Sequence, residues 1–539
     1  MEDEDDTTNK GCKPFWKYHW KGVFNLCTGI LLAPLLFLEN RAFAVLYVFL
    51  VMYFWWAFES TTPAAPSLLP MIVFPVFGVL HSEETCMSYT MNAQFVFMFS
   101  CFVATTLESS NASAYIAYKW VSSFSHEPRR LHITICLMSY LLSLCVQDAI
   151  VCALMIPLSR GIVQVLENIS IGHLYNETIE VKEDQPATPT RLTIGFLLGV
   201  AFSTHIGGLA TLSGSDTGYK LKMLYDDIIP GAKSGPITYV TYLAIAGPLS
   251  FILFLITLVY LQVIYLGLFR RNSPTNLMYD NEASKDAIKV ALDELPSMDL
   301  HQAMAITFWV FCYVLTFFLE PMFMPGIAES ISRVVVKHSA VAMLICLFLF
   351  YLPNAVDFLP YFICRKPKSY KTILSLLRWN NAQTTMPWNY FLVHGSSMAM
   401  AAGMKRTQWQ ACVNVFSNLN AQLQVALWVL TVGSISVIGK NYLVADFFIP
   451  WSMFLNSSAL PHPGQLMYAI ALACRMTFFL PVSSVSNCFA CGWMNIRAKD
   501  VMMASAVPIL AGLILSIIFT VAFVPLLHHD FGNIMDSAT

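Results

Sequence analysis

The chain has 539 residues, 56% of them hydrophobic and only 12% charged, with a formal net charge of −2. Soluble domains carry about twice that share of charge, so this composition, with a mean hydropathy of +0.59, excludes a soluble globular class and implies an all-α polytopic membrane protein. The balanced charge offers no basic field for nucleic acid, and the 14 cysteines lie in apolar segments without the spacing of a disulfide framework.

The acidic head MEDEDD, followed by Lys10, Lys13, Lys17 and Lys21, lacks the apolar core of a cleaved leader. Residues 1–22 read as a cytosolic tail. A bilayer-spanning helix takes about 20 mostly apolar residues. Spans or half-spans on that measure fall near 23–39, 42–58, 64–80, 92–107, 131–158, 193–225, 237–268, 303–320, 338–353, 385–404, 411–456, 465–490 and 501–527. The runs 131–158 and 411–456 are interrupted by polar residues near their middles and read as re-entrant hairpins. The runs 193–225 and 465–490 contain IGGLATLSGSDTG and PVSSVSNC and read as broken helices. Unwound backbone at membrane depth is tolerated only where protein buries it or it lines a cavity. Residues 269–302 read as a cytosolic amphipathic connector and 528–539 as an external tail.

These interruptions repeat. Asp148 stands nine residues before Pro157 in DAIVCALMIP, and Asn441 nine before Pro450 in NYLVADFFIP, 293 positions later. Each is followed by a broken helix, the first with Ser213–Gly214–Ser215 and the second with Ser483 to Asn487. The chain thus divides into a first repeat, 23–268, and a second, 303–527. Paired broken segments in corresponding halves point to a carrier whose site lies halfway through the bilayer. The carboxylate of Asp148 supports that reading, because an aspartate at such depth costs about 2.5–3.5 kcal/mol on insertion scales and marks a pathway or site. The loops show no nucleophile triad, metal-ligand spacing or phosphate-binding glycine loop, so an enzyme is not expected.

With both hairpins returning to the side they enter from, eleven segments cross fully. That topology puts 21 of the 31 lysines and arginines in the cytosol, 8 outside, and 2, Lys440 and Arg475, within the membrane. The bias agrees with the positive-inside rule. It leaves the sequons at Asn111, Asn168 and Asn176 in the cytosol and makes Asn456 the expected glycosylation site.

Four stretches now fall into a pattern. ESTTPAAPSLLPMIVFPVFGVL (59–80), IGGLATLSGS (206–215), MPWNYFLVHGSSMAMAAG (386–403) and FFLPVSSVSN (478–487) resemble, in order, the divalent-anion/sodium symporter family of carboxylate and sulfate carriers. The resemblance covers roughly residues 20–527. It implies an inverted-repeat, elevator-type homodimer that moves di- and tricarboxylates of the succinate and citrate kind, or sulfate, across a membrane, taken to be the plasma membrane. It also implies substrate contacts from the hairpin tips and helix breaks, which here are Gln147, Asp148, Ser213, Gly214, Ser215, Lys440, Asn441, Ser483, Ser484 and Asn487.

The departures bear on coupling. Family tips carry Ser-Asn-Thr, which binds sodium; here they read Gln147–Asp148–Ala149 and Lys440–Asn441–Tyr442, and a family serine is replaced by Arg475. Sodium is a hard cation that wants several oxygens, and fixed cations at Lys440 and Arg475 would repel it while neutralising a carboxylate. The expectation is a carboxylate carrier with little or no sodium dependence, working by exchange or by proton coupling through Asp148 or His205. No firm metal site is assigned. Two alternatives stand beside it: a sulfate carrier, or a transport-inactive paralogue, closed by an Asp148–Lys440 ion pair, that acts as a membrane sensor or partner. His394 reads as a core histidine.

Overall fold

The computed structural model of the chain describes residues 12–124, 127–169, 172–176, 188–228, 237–270, 290, 293, 295–327, 336–355, 374–407, 420–437, 441–454 and 463–527. Among them extended pairing is limited to two isolated bridges, Tyr175 with Pro189 and Pro353 with Ser375. The rest is helix and turn.

In chain order the helices are α1 (Cys12–Leu32), α2 (Ala42–Ala57), α3 (Leu69–Val76), α4 (Ser82–Ser88), α5 (Asn92–Ser109), α6 (Ala112–Phe124), α7 (Pro128–Ser143), α8 (Asp148–Asn168), α9 (Arg191–Leu209), α10 (Asp216–Ile228) and α11 (Tyr239–Ile264). They continue with α12 (Leu300–Leu319), α13 (His338–Tyr351), α14 (Trp379–Thr385), α15 (Trp388–Arg406), α16 (Ala421–Ser436), α17 (Asn441–Phe454), α18 (Pro463–Cys474), α19 (Val485–Met494), α20 (Ala498–Ala522) and α21 (Val524–Leu527). Several starts are fixed by side-chain caps: Thr190 accepts from Thr193 N, Thr238 from Thr241 N, Asp299 from Leu300 N and Ser484 from Asn487 N.

Seven helical stretches among the described residues are long and apolar enough to cross a membrane, so the protein is polytopic. Five more apolar helices are shorter, including Gln422–Ser436 and Gln465–Cys474. The eleven expected crossings exceed seven partly because a helix broken at mid-depth divides its apolar run between two pieces.

The centre is built on α9, whose residues from Thr193 to Leu209 are all buried. It packs on α7, α8 and α11, while α8 also packs on α5 and α6. The two halves of the sequence interlock: α10 packs on α17, α11 on α20, and α19 on both α8 and α9. Glu108 of α5 ties three elements together, pairing with Arg160 of α8 and accepting from Trp493 Nε1 of α19 at 3.1 Å. Outward faces are apolar, with Phe251, Leu255 and Val259 on α11 and Leu510, Ile514 and Ile518 on α20 exposed.

Several details differ from the sequence expectation. Helix α8 runs through Pro157 to Asn168 instead of ending near 158, so part of the expected loop 159–191 is helix. Proline costs the helix one backbone bond and some steric strain, but membrane helices tolerate it where neighbours re-satisfy the backbone. Helix α6 was not anticipated, and α1 begins inside the stretch read as a tail. Most of the connector, residues 411–419 and the tail 528–539 lie outside the described residues.

Helices α7 and α9 approach each other closely. A Cβ at Gly207 would lie 2.5 Å from the Tyr140 carbonyl oxygen and 3.1 Å from Ser143 Cβ. The first obstacle is backbone, so it does not yield cheaply. Gly207→Val is expected to cost about 1–3 kcal/mol through overpacking, read as a lowered thermal unfolding midpoint in detergent. An unchanged midpoint would show that α7 and α9 are not packed this closely.

Candidate functional site

Three non-helical stretches meet at the centre: the turn 144–147 between α7 and α8, the break 210–215 between α9 and α10, and the break 475–484 between α18 and α19. Each carries backbone groups that no helix satisfies, and the two breaks are largely buried, so side chains must serve them. In the first break Thr211 Oγ1 donates to the Leu144 carbonyl and accepts from Gly214 N at 3.0 Å, and Ser215 Oγ accepts from Gly218 N at 3.2 Å. In the second, Ser483 Oγ bonds Leu480 N and O at 2.7 and 2.8 Å, and Asn487 Nδ2 donates to the Phe478 and Leu480 carbonyls at 3.2 and 3.0 Å.

A closed ring of charged and polar groups joins the breaks. Arg475 Nη2 lies 3.3 Å from both oxygens of Asp148 and donates to the His205 carbonyl at 2.6 Å. The His205 ring returns the connection, with Nδ1 2.9 Å from Asp148 Oδ2 and Nε2 2.8 Å from the Arg475 carbonyl oxygen. All three residues are buried. A neutral imidazole donates from one nitrogen only, so satisfying both ring contacts takes one further proton, on the ring or on the carboxyl group. With that proton the triad carries a net charge of +1; without it the charge is zero. Gly208 makes room for the ring: a Cβ there would stand 2.7 Å from Asp148 Oδ1 and 2.8 Å from Arg475 Nη2.

Beside the triad is a cavity, its walls including Gln147, Asp148, His205, Gly214, Ser215, Asn441 and Arg475. Gln147 Nε2 donates to Asp216 Oδ1 at 2.6 Å, and Asn441 Oδ1 accepts from Thr477 Oγ1 at 3.1 Å. Ser213 lines an adjoining cavity. Ser483, Ser484 and Asn487 brace the second break instead of facing the first cavity, which reaches that part of the chain at Arg475 and Val485. Lys440 and Asn456 lie outside the described residues. Among the described residues Asp148 pairs with Arg475, and the expected pair with Lys440 falls outside them. His394 packs within the core, bonded to Gln94 and stacked on Phe97. The amides of Asn168 and Asn176 are engaged by Tyr118 and by Thr188 and Pro189.

Sequence reasoning missed Gly208, Thr211 and Thr477, whose parts depend on contacts across the fold. At the first tip a guanidinium and an imidazole contact the two oxygens of the carboxylate. Breaking one side of a buried ion pair leaves the other charge uncompensated and costs about 3–5 kcal/mol, whereas replacing both is often close to neutral. Arg475→Met and Asp148→Asn are each expected to lower the unfolding midpoint more than the double variant does. Additive losses would contradict the pairing.

Comparison with known proteins follows the same outline. The family model described as "Citrate transporter" matches residues 53–460. The chain is 26% identical over 527 residues to "Protein I'm not dead yet" of Drosophila melanogaster, covering 94% of this chain and 89% of that protein. It is 24% identical to the "Sodium-dependent high-affinity dicarboxylate transporter 3" of Caenorhabditis elegans, over 96% of this chain and 90% of the relative. It is also 24% identical to the "Na(+)/citrate cotransporter" of Mus musculus, over 92% and 93% of the two chains. The chain belongs to the citrate-transporter family of the divalent-anion/sodium symporters, a family of transporters and not of enzymes.

Proposed function

We propose that this protein carries di- and tricarboxylates across a membrane with a protein-borne cation in place of sodium. The observation that carries the reading is the Arg475 guanidinium, buried against Asp148 on the wall of the central cavity. Guanidinium is always protonated and its planar fork suits carboxylate. Arg475 Nε has no hydrogen-bond partner among the described residues, so the group is not saturated by its present contacts. A substrate carboxylate arriving in the cavity competes with Asp148 for the same cation, and the proton shared by Asp148 and His205 sets whether the triad is neutral or positive. That arrangement supports obligatory exchange or proton coupling, because the empty site already holds a counter-ion of its own.

The architecture supports the rest of the reading: paired hairpins and broken helices around a midplane site suit an elevator-type inverted repeat, working as a homodimer in the plasma membrane. A second reading follows from the same ring of contacts. If Asp148 keeps Arg475 against every anion, the site is closed and the chain is a transport-inactive sensor or partner of active relatives.

Uptake of labelled citrate and succinate into proteoliposomes, with sodium replaced by choline, separates these. Equal uptake in both media is expected. A steep sodium requirement contradicts the fixed-cation reading, and an absence of uptake and of stabilisation by citrate, succinate or sulfate supports the closed site. The double variant Asp148→Asn/Arg475→Ser removes the pair without leaving a lone buried charge and is expected to restore sodium stimulation if a sodium site has been displaced.

A further inference from the structure

A second cavity adjoins the first and shares the walls Ala93, Val96, Gln147, Ser215 and Asp216 with it. Its far side is formed by Glu320 and Met322 after α12 and by Lys337, His338 and Ser339 at the start of α13. In the topology drawn from lysine and arginine placement these loops are external, so a solute from outside passes this cavity before reaching Arg475.

Its cations are not equally free. Lys220 is held by Asp446 at 3.1 Å, whose other oxygen takes Lys405 at 2.6 Å. Lys337 is held loosely. Its Nζ is 3.6 Å from Glu320 Oε1, too long for a hydrogen bond, 3.4 Å from the Tyr219 hydroxyl, and 5.0 Å from the centre of the Tyr219 ring. Two buried polar atoms of residues lining this cavity, Ser213 Oγ and His338 Nδ1, lack hydrogen-bond partners among the described residues. The wall is also strained: Met322 adopts φ +66° without being glycine. Such strain costs of order 1–3 kcal/mol and clusters at ligand clamps.

We propose that this cavity is an outer carboxylate subsite, in which Lys337 and Ser213 receive a carboxyl group of a substrate whose inner carboxyl group lies at Arg475. The inference rests on the carboxylate reading of the inner cavity and specifies how the protein chooses among carboxylates. Among the described residues the inner cavity has one fixed cation, Arg475, already facing Asp148, so a further negative charge on a substrate calls for another partner. Of the cations lining the two cavities, Lys337 has the loosest anchor. Exchanging a 3.6 Å contact with Glu320 for a direct bond to substrate is a net gain in charge-assisted hydrogen bonding. The gain is open to any substrate with a second carboxylate, so the subsite favours di- and tricarboxylates over monocarboxylates. Ser213, in the break that forms the wall between the cavities, supplies a hydroxyl with no competing bond.

The test compares KM for citrate and for succinate in proteoliposomes of wild type, Lys337→Gln, Lys337→Arg and Ser213→Ala, each checked for monodispersity in detergent. Losing a charged hydrogen bond is expected to raise the citrate KM about tenfold in Lys337→Gln, the equivalent of about 1.4 kcal/mol. The succinate KM should rise with it, and Lys337→Arg should restore both. Ser213→Ala, which removes an unpartnered atom and endangers no contact, should show the same rise in smaller measure. No change in either KM, or a rise that Lys337→Arg does not reverse, with transport intact overturns the outer subsite alone. If wild type carries neither substrate, both this inference and the carboxylate reading fall.

Discussion

One contact holds the two halves of this protein to a common centre: the carboxylate of Asp148, at the start of α8, against the guanidinium of Arg475, at the end of α18. Each group alone would be prohibitive at this depth. Together, with His205 bonded to the carboxylate on one side and to the Arg475 backbone on the other, they form a unit in which the charges have partners and the backbone of two interrupted helices is served. The hairpin tip, both breaks and the adjoining cavity take their positions from that unit. It is also a thermodynamic constraint on function, since any anion that enters must be worth more to Arg475 than Asp148 is, or must share it.

The packing around the ring shows the same dependence. Gly207 and Gly208 end α9 side by side, one admitting the backbone of α7 and the other admitting Asp148 and Arg475. Glycine is needed at both for closeness, and a methyl group at either would separate elements that must touch. The breaks are braced for a related reason. Thr211, Ser483 and Asn487 each spend their side chains on nearby backbone, which serves groups that the interrupted helices leave open.

Much of this was legible in the residues. The apolar runs mark the helices, and the breaks at 210–215 and 475–484 fall where glycine and serine interrupt them. Arg475 stood out because a permanent cation in an apolar segment demands a partner. The partner itself was not legible, because sequence does not say which side chains converge in space; the expected pairing of Asp148 with Lys440 concerns a residue outside the described ones. The serines teach a similar lesson. Ser483 and Ser484 look like substrate ligands because they sit at a break, yet a break creates unsatisfied backbone that a nearby hydroxyl serves first. The continuation of α8 past Pro157 was hidden because proline reads as a stop, and only the surrounding helices make it tolerable.

The account's central claim is that Arg475 already supplies the positive charge that relatives with "sodium-dependent" or "Na(+)" in their names are described as drawing from the medium. Linkage offers the most direct check: a cation that binds together with substrate must change the substrate's affinity as its own concentration changes. The dissociation constant for citrate, measured by calorimetry on purified protein while sodium replaces choline at fixed ionic strength, is predicted to stay constant across the series. A dissociation constant that falls steadily as sodium rises would mean that the ion still enters the site and that the built-in charge does not take its place.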